Sequence, residues 1–169
     1  MKWIGITGSW RATNETVESD VRTAVRTIVR RGDGIVTGGA LNVDYFATDE
    51  ALKIDPSGVS IKVCLPVALE RYSAHYFKRA EEGVITVQQA EALITQLKEL
   101  KSVNPDAILE NRRNEIVDTN TYYERNSRVV ELSDELLAFQ VNGSQGVQDT
   151  IDKALSQGKT VGIREYVII

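Results

Sequence analysis

One local pattern recurs along the sequence: a short apolar run, a turn of small residues, then a segment with helical spacing. Trp3 to Thr7 runs into Gly8-Ser9, and Thr16 to Arg31 follows with Val17, Val21, Val25, Ile28 and Val29 on one stripe. Gly34 to Thr37 runs into Gly38-Gly39, ahead of an amphipathic stretch from Val43 to Lys53. Glu135 to Val141 runs into Asn142-Gly143-Ser144-Gln145-Gly146 and a helix that Gly158 closes. Ser60 to Val67 is apolar enough for a strand buried on both faces. Strands alternating with helices predict a doubly wound α/β fold, a parallel sheet with helices on both faces. The expected order is 3-2-1-4-5, with Glu135–Val141 as the fourth principal strand and Thr160–Ile169 as the fifth. At 169 residues the chain is expected to form one Rossmann-like domain over 1–169.

Local signals fill in the detail. Glu18 and Arg22 stand four apart in the favoured order, and Gly32 suits the left-handed residue after a helix. Residues 69–101 exceed the single crossover helix such a fold needs. One helix ends near Gly83, and Thr86 with Gln89 forms a capping box that opens a second. Together they make an inserted helical hairpin. Its stripe of Leu93, Ile94, Leu97 and Leu100 needs cover, which predicts a homo-oligomer, most simply a two-fold dimer. After Asn104-Pro105 a loop or short helix passes Arg112-Arg113 to Ile116-Val117, and a helix follows from about Asn120 to Leu132. On that helix Glu124 pairs with Arg128, leaving Arg125 to face the sheet edge.

Composition excludes several functions. With 20 Lys and Arg against 24 Asp and Glu, the formal charge is −4, which disfavours binding to nucleic acid through bulk positive charge. Arg112, Arg113, Arg125 and Arg128 supply only part of a single-strand groove. One Cys64 and one His75 allow neither an internal disulfide nor a tetrahedral zinc site, so no metal or cofactor is expected. His75 is expected to be a half-buried partner of Tyr72 and Tyr76. No apolar run approaches a membrane span, and a cytoplasmic protein is expected.

The three small-residue turns should lie together at the carboxyl edge of the sheet, where doubly wound proteins bind ligands beside the reversal of strand order. Glycines there let backbone amides approach an anion, and a helix starting at Ser144 or Gln145 adds unpaired amides and a favourable dipole. The ligand-binding set is therefore Gly8, Ser9, Arg11, Gly38, Gly39, Asp44, Arg125, Asn142, Gly143, Ser144, Gln145 and Gly146. Asp44 also suits the first turn of its helix as a complement to the dipole. Tyr122 and Tyr123 could stack a base or belong to core or rim. Neither GxGxxG nor GxxxxGK[ST] occurs. The string NGSQG lacks the first Gly of a nucleophile elbow, and His75 lies upstream of it, which argues against a serine triad.

TGSWR at Thr7–Arg11, TGGALNVDYFATDEAL at Thr37–Leu52, and ERNSRVVELSDELLAF at Glu124–Phe139 followed by NGSQG resemble the SLOG superfamily. That superfamily joins the cytokinin-activating LOG phosphoribohydrolases and the DNA processing protein A family. The first two segments are nearer the DNA processing protein A pattern and the later ones nearer LOG. The resemblance covers the sheet but not the hairpin insertion. In LOG-like enzymes an Arg and the final Glu of PGGxGTxxE cleave the N-glycosidic bond of nucleoside 5′-monophosphates. Arg125 falls on that Arg, but Thr150 stands at the Glu position, with Asp149 one residue early. One helical position is about 100° of rotation, so Asp149 is a poor substitute. The resemblance therefore implies, first, binding of a nucleotide or phosphate-bearing derivative. LOG-like hydrolysis through Arg125 and Asp149 ranks second, and single-stranded DNA handling third.

Overall fold

The structure, a computed structural model, describes residues 1–169. In chain order the elements are β1 (Trp3–Gly8), α1 (Glu15–Arg30), β2 (Gly34–Thr37), α2 (Val43–Ile54), β3 (Ile61–Cys64), α3 (Leu69–Glu81) and α4 (Val87–Val103). A 3-10 turn at Pro105–Ala107 then leads to β4 (Ile108–Leu109), α5 (Thr119–Leu132), β5 (Glu135–Val141), α6 (Gln145–Ser156) and β6 (Thr160–Tyr166). The strands form one parallel sheet in the order β4-β3-β2-β1-β5-β6. The expected 3-2-1-4-5 order is present as β3-β2-β1-β5-β6. It is extended by β4, where Ile108 and Leu109 pair with Val63 and Cys64 in a segment expected to be loop or short helix.

Side chains on the two faces of the sheet enter separate cores. Ile4, Ile6, Ile35, Ile61 and Val63 join α1, α2, α3 and α4 in a cluster of 27 residues, whereas a cluster of 6 holds Leu136 and Ala138 against α5 and α6. α1 forms because Asn14 caps it, its side chain accepting from the Val17 amide at 2.9 Å, and because Val17, Val21, Val25 and Ile28 all turn inward. Arg22 pairs with Glu18 at 3.0 Å, as the spacing predicts, and with Asp49 of α2 at 2.7 Å. Gly32 takes φ +92°, the left-handed conformation expected after a helix.

The hairpin corrects one expectation. Leu93, Leu97 and Leu100 are fully buried and Ile94 nearly so, all within the chain's own main core. The stripe is thus covered intramolecularly, and it no longer calls for a second copy. Thr86 and Gln89 do form the capping box that opens α4. The pair expected between Glu124 and Arg128 is also absent: Glu124 accepts from Asn114 at 3.1 Å, and Arg128 meets Glu131 at 3.4 Å. α5 is instead opened by a reciprocal cap between Asp118 and Thr121. No helix is long and apolar enough to cross a membrane.

Candidate functional site

Strand order reverses between β1 and β5, and there the carboxyl edge opens into a cavity of about 470 Å³. That volume falls within the ~300–1,000 Å³ usual for small-molecule sites. The ends of β1 and β2 supply its floor through Gly8, Gly38 and Ala40, and the first turn of α6 supplies Ser144, Gly146, Val147 and Thr150. α5 contributes Tyr122, Arg125 and Asn126, and Trp10 and Arg11 lie beside them. The remaining wall comes from the hairpin, through His75, Tyr76, Arg79 and Ile85, together with Val117.

Gly38 is the pivot of this site. Its amide donates to Asp44 Oδ2 at 3.1 Å, and its carbonyl accepts from Arg125 Nη1. A Cβ at position 38 would stand 2.6 Å from that guanidinium nitrogen, so glycine is what allows Arg125 to reach the floor. Arg125 Nε also donates to Asn126 at 3.1 Å, and the guanidinium lies 5.2 Å from the Tyr122 ring centre. Burial works against its charge, but Tyr72 and Asp44 outweigh that and hold its pKa above the ordinary value.

Asp44 is buried, and Oδ2 also accepts from the Ala40 amide at 3.1 Å, while Oδ1 has no hydrogen-bond partner. Burial raises its pKa, against the opposing pull of Arg125 and the two amides. The carboxylate therefore braces the turn between β2 and α2 rather than serving only its helix dipole. Of its two expected partners His75 packs edge-on to Tyr76, with ring centres 5.7 Å apart, while Tyr122 rather than Tyr72 is the other, its hydroxyl 3.4 Å from Nε2. Burial and the Arg79 guanidinium push the imidazole pKa below its usual value.

Of the residues proposed from sequence, Gly8, Arg11, Gly38, Asp44, Arg125, Ser144 and Gly146 converge on the cavity. Ser9, Gly39, Asn142, Gly143, Gln145 and Asp149 do not line it. The Ser9 hydroxyl is engaged with the backbone of Val141, donating to its carbonyl at 3.3 Å and accepting from its amide at 3.0 Å. Gly39 turns toward Leu65 and Val63 at φ +67°. Asn142 clasps Ile168 through two 2.9 Å bonds, and Gly143 is exposed beside it. Asp149 pairs with Lys153 at 2.7 Å and accepts from Asn126 at 3.1 Å. Thr150 faces the cavity with its hydroxyl bonded to the Gly146 carbonyl at 3.2 Å, so the rotation by one helical position decides which of the two reaches the site.

The four arginines weighed for a single-strand groove are dispersed. Arg112 pairs with Glu110 at 2.7 Å and Arg128 with Glu131, while only Arg125 enters the cavity. No three His, Cys, Asp or Glu side chains converge as a metal site. The chemistry available is that of three guanidiniums, two carboxylates, an imidazole, hydroxyls and helix-terminal amides. Sequence reasoning missed the hairpin wall, because Tyr76, Arg79 and Ile85 reach the cavity only through tertiary packing.

The same sheet recurs in solved structures. DNA processing protein A from Helicobacter pylori, described for its single-stranded DNA binding mode, superposes with a TM-score of 0.69 at 20% identity, over 96% of this chain and 64% of that one. DNA processing protein A from Streptococcus pneumoniae gives 0.53 at 14% identity, over 95% and 58%. The molybdenum cofactor carrier protein of Chlamydomonas reinhardtii gives 0.54 at 16%, over 100% and 91%. The chain thus spans less than two thirds of either DNA processing protein A structure. No curated protein matches the sequence. The model of DNA recombination-mediator protein A matches residues 1–167, nearly all of a chain already carrying the glycine turns and sheet of the SLOG superfamily, and the chain belongs to that DNA recombination-mediator protein A family.

Proposed function

We propose that this protein binds a nucleotide or nucleotide-derived, phosphate-bearing ligand in the cavity at the carboxyl edge of the sheet. The observation that carries the reading is the meeting of Arg125 with the first turn of α6 over a glycine floor, in one cavity of about 470 Å³. The α6 N-terminus offers unpaired amides and the favourable end of its dipole, and Arg125 offers a charge held by protein groups. Trp10, Tyr122 and Tyr123 supply flat surfaces beside them. LOG-like hydrolysis is not expected, because Thr150 rather than a carboxylate faces the cavity from α6 and Asp149 is engaged elsewhere.

A thermal-shift panel of mono-, di-, cyclic and ADP-ribose-type nucleotides tests the reading. A ligand at 100 times its Kd adds about 2.7 kcal/mol, which for a domain of this size is roughly 2 to 4 °C per kcal/mol. Arg125→Ala should weaken any hit by about 1.5 to 3 kcal/mol, the worth of a charge-assisted bond. A hit that is indifferent to this change would move the site elsewhere.

Single-stranded DNA binding is the second reading. Arg11 packs 4.7 Å from the Trp10 ring centre, both lining the cavity together with Arg79, and such pairs of base-stacking surface and cation suit a single strand. Fluorescence anisotropy with labelled oligodeoxythymidine separates the two. Tight binding with a steep salt dependence, in a protein that no mononucleotide stabilises, would put DNA first.

A further inference from the structure

Two acidic residues line the cavity, and they are differently occupied. Asp118 caps α5, its Oδ1 accepting from the Thr121 amide at 2.9 Å. Asp44 is 5% exposed, and although Oδ2 takes two backbone amides, Oδ1 has no partner. A buried carboxylate oxygen left without a donor is rare enough to need a reason, and a ligand that supplies the donor is one. Arg125 binds the carbonyl of the same residue, Gly38, whose N–H donates to Asp44, yet the two side chains form no ion pair. The floor therefore holds a buried, unpartnered acceptor beside a cation.

Charge decides which part of a nucleotide can lie over that acceptor. A phosphate would be repelled by Asp44 and is drawn instead to Arg125 and the start of α6. A base needs flat apolar cover, which Trp10 and Tyr122 give at the wall. The sugar lies between them, over the small residues Gly8, Gly38 and Ala40, and its hydroxyls are neutral donors. We propose that Asp44 reads a ribose hydroxyl, so that the cavity selects ribonucleotides over their deoxy counterparts. The proposal rests on the nucleotide reading above and sharpens it against binding of DNA.

Isothermal titration of the full chain with the four ribonucleoside 5′-monophosphates, and with their 2′-deoxy and 3′-deoxy forms, tests it. Loss of a hydrogen bond to a charged acceptor should weaken the deoxy form at the responsible position by roughly tenfold or more. In Asp44→Asn the amide oxygen can still accept from Gly38 and Ala40, while the free acceptor becomes a donor. The ribo-to-deoxy gap should then shrink, because a neutral amide that can only donate to the hydroxyl oxygen replaces the charged acceptor. Equal binding of ribo and deoxy forms by the unmodified protein overturns the proposal and leaves nucleotide binding standing. A gap of undiminished size in Asp44→Asn assigns discrimination to another residue and overturns it as well. Binding of no mononucleotide overturns the proposal, the wider nucleotide reading being decided by the thermal-shift panel, and the comparison within the unmodified protein decides even if the variant fails to fold.

Discussion

The glycine-turn wall and the hairpin wall of the cavity are held by different means. At the turns the residues sit at the ends of β1, β2 and β5, and the register of the parallel sheet places their backbones. Space for a Cβ is the constraint there: one on Gly8 would strike Val43, and one on Gly38 would meet Arg125. The hairpin presents side chains from a helix pair held by its own packing. Leu93, Leu97 and Leu100 anchor it in the core, and the Tyr72 hydroxyl donates to the Gly39 carbonyl at 2.7 Å. Glu110, at the end of β4, binds Lys101 of α4 and accepts from the Leu69 amide that opens α3. An inserted element has thus become part of the core and a wall of the site at once, so its stability and the shape of the cavity are linked.

The sharpest way to break this contrast is Leu97→Ala. If the stripe is core, the change should cost about 2–5 kcal/mol in urea unfolding. A cost near zero in dilute monomer would return the stripe to a partner surface. Gly38→Ala comes next: displacing Arg125 should cost about 1–3 kcal/mol and abolish any nucleotide-induced thermal shift. Gly143→Ala is its control, since a Cβ there meets nothing within 4 Å. Its φ of +63° makes the change cost roughly 1 kcal/mol, with the ligand response intact.

Glu110→Gln loosens the clasp on the hairpin. Its carboxylate is largely buried, but Lys101 and Arg112 are partly or mostly exposed, which discounts the loss to about 1–2 kcal/mol. Burial opposes ionisation of Glu110, and the Lys101 ammonium, the Leu69 amide and Arg112 outweigh it, so its pKa lies below the usual value. The stabilisation is then full above the unfolded carboxyl's pKa of about 4.3 and is lost as pH falls through the lower folded value. Denaturation of both proteins from pH 6 to pH 3 should show their difference shrinking at the acid end. Asp149→Asn should do least, within about 0.5 kcal/mol, since Lys153 is partly exposed and the amide oxygen can still accept from Asn126, the partner that lines the cavity.

Much of this was legible because local pattern and global fold agree. Turns after apolar runs mark the ends of β1, β2 and β5, and their common edge follows from parallel topology. β4 was not legible, since two residues, Ile108 and Leu109, carry no period. The stripe of α4 was visible, but periodicity reports that a face is apolar and not what covers it. At the site, Gly8, Gly38 and Arg125 were found, whereas Ser9, Gly39 and Asn142 were included because they adjoin glycine turns. Neighbouring residues in a turn point in different directions: Ser9 secures β5 and Asn142 secures the final residues, leaving neither for the cavity.

Gly38 is gripped on both sides, the N–H of the peptide before it by Asp44 and the C=O of the peptide after it by Arg125. Two successive peptide planes, each anchored by a buried side chain, resist flipping, and the floor keeps one shape before anything arrives. Little of a fitting ligand's affinity is then lost to ordering the protein. Discrimination works through rigidity: a molecule of the wrong outline meets a surface that does not yield.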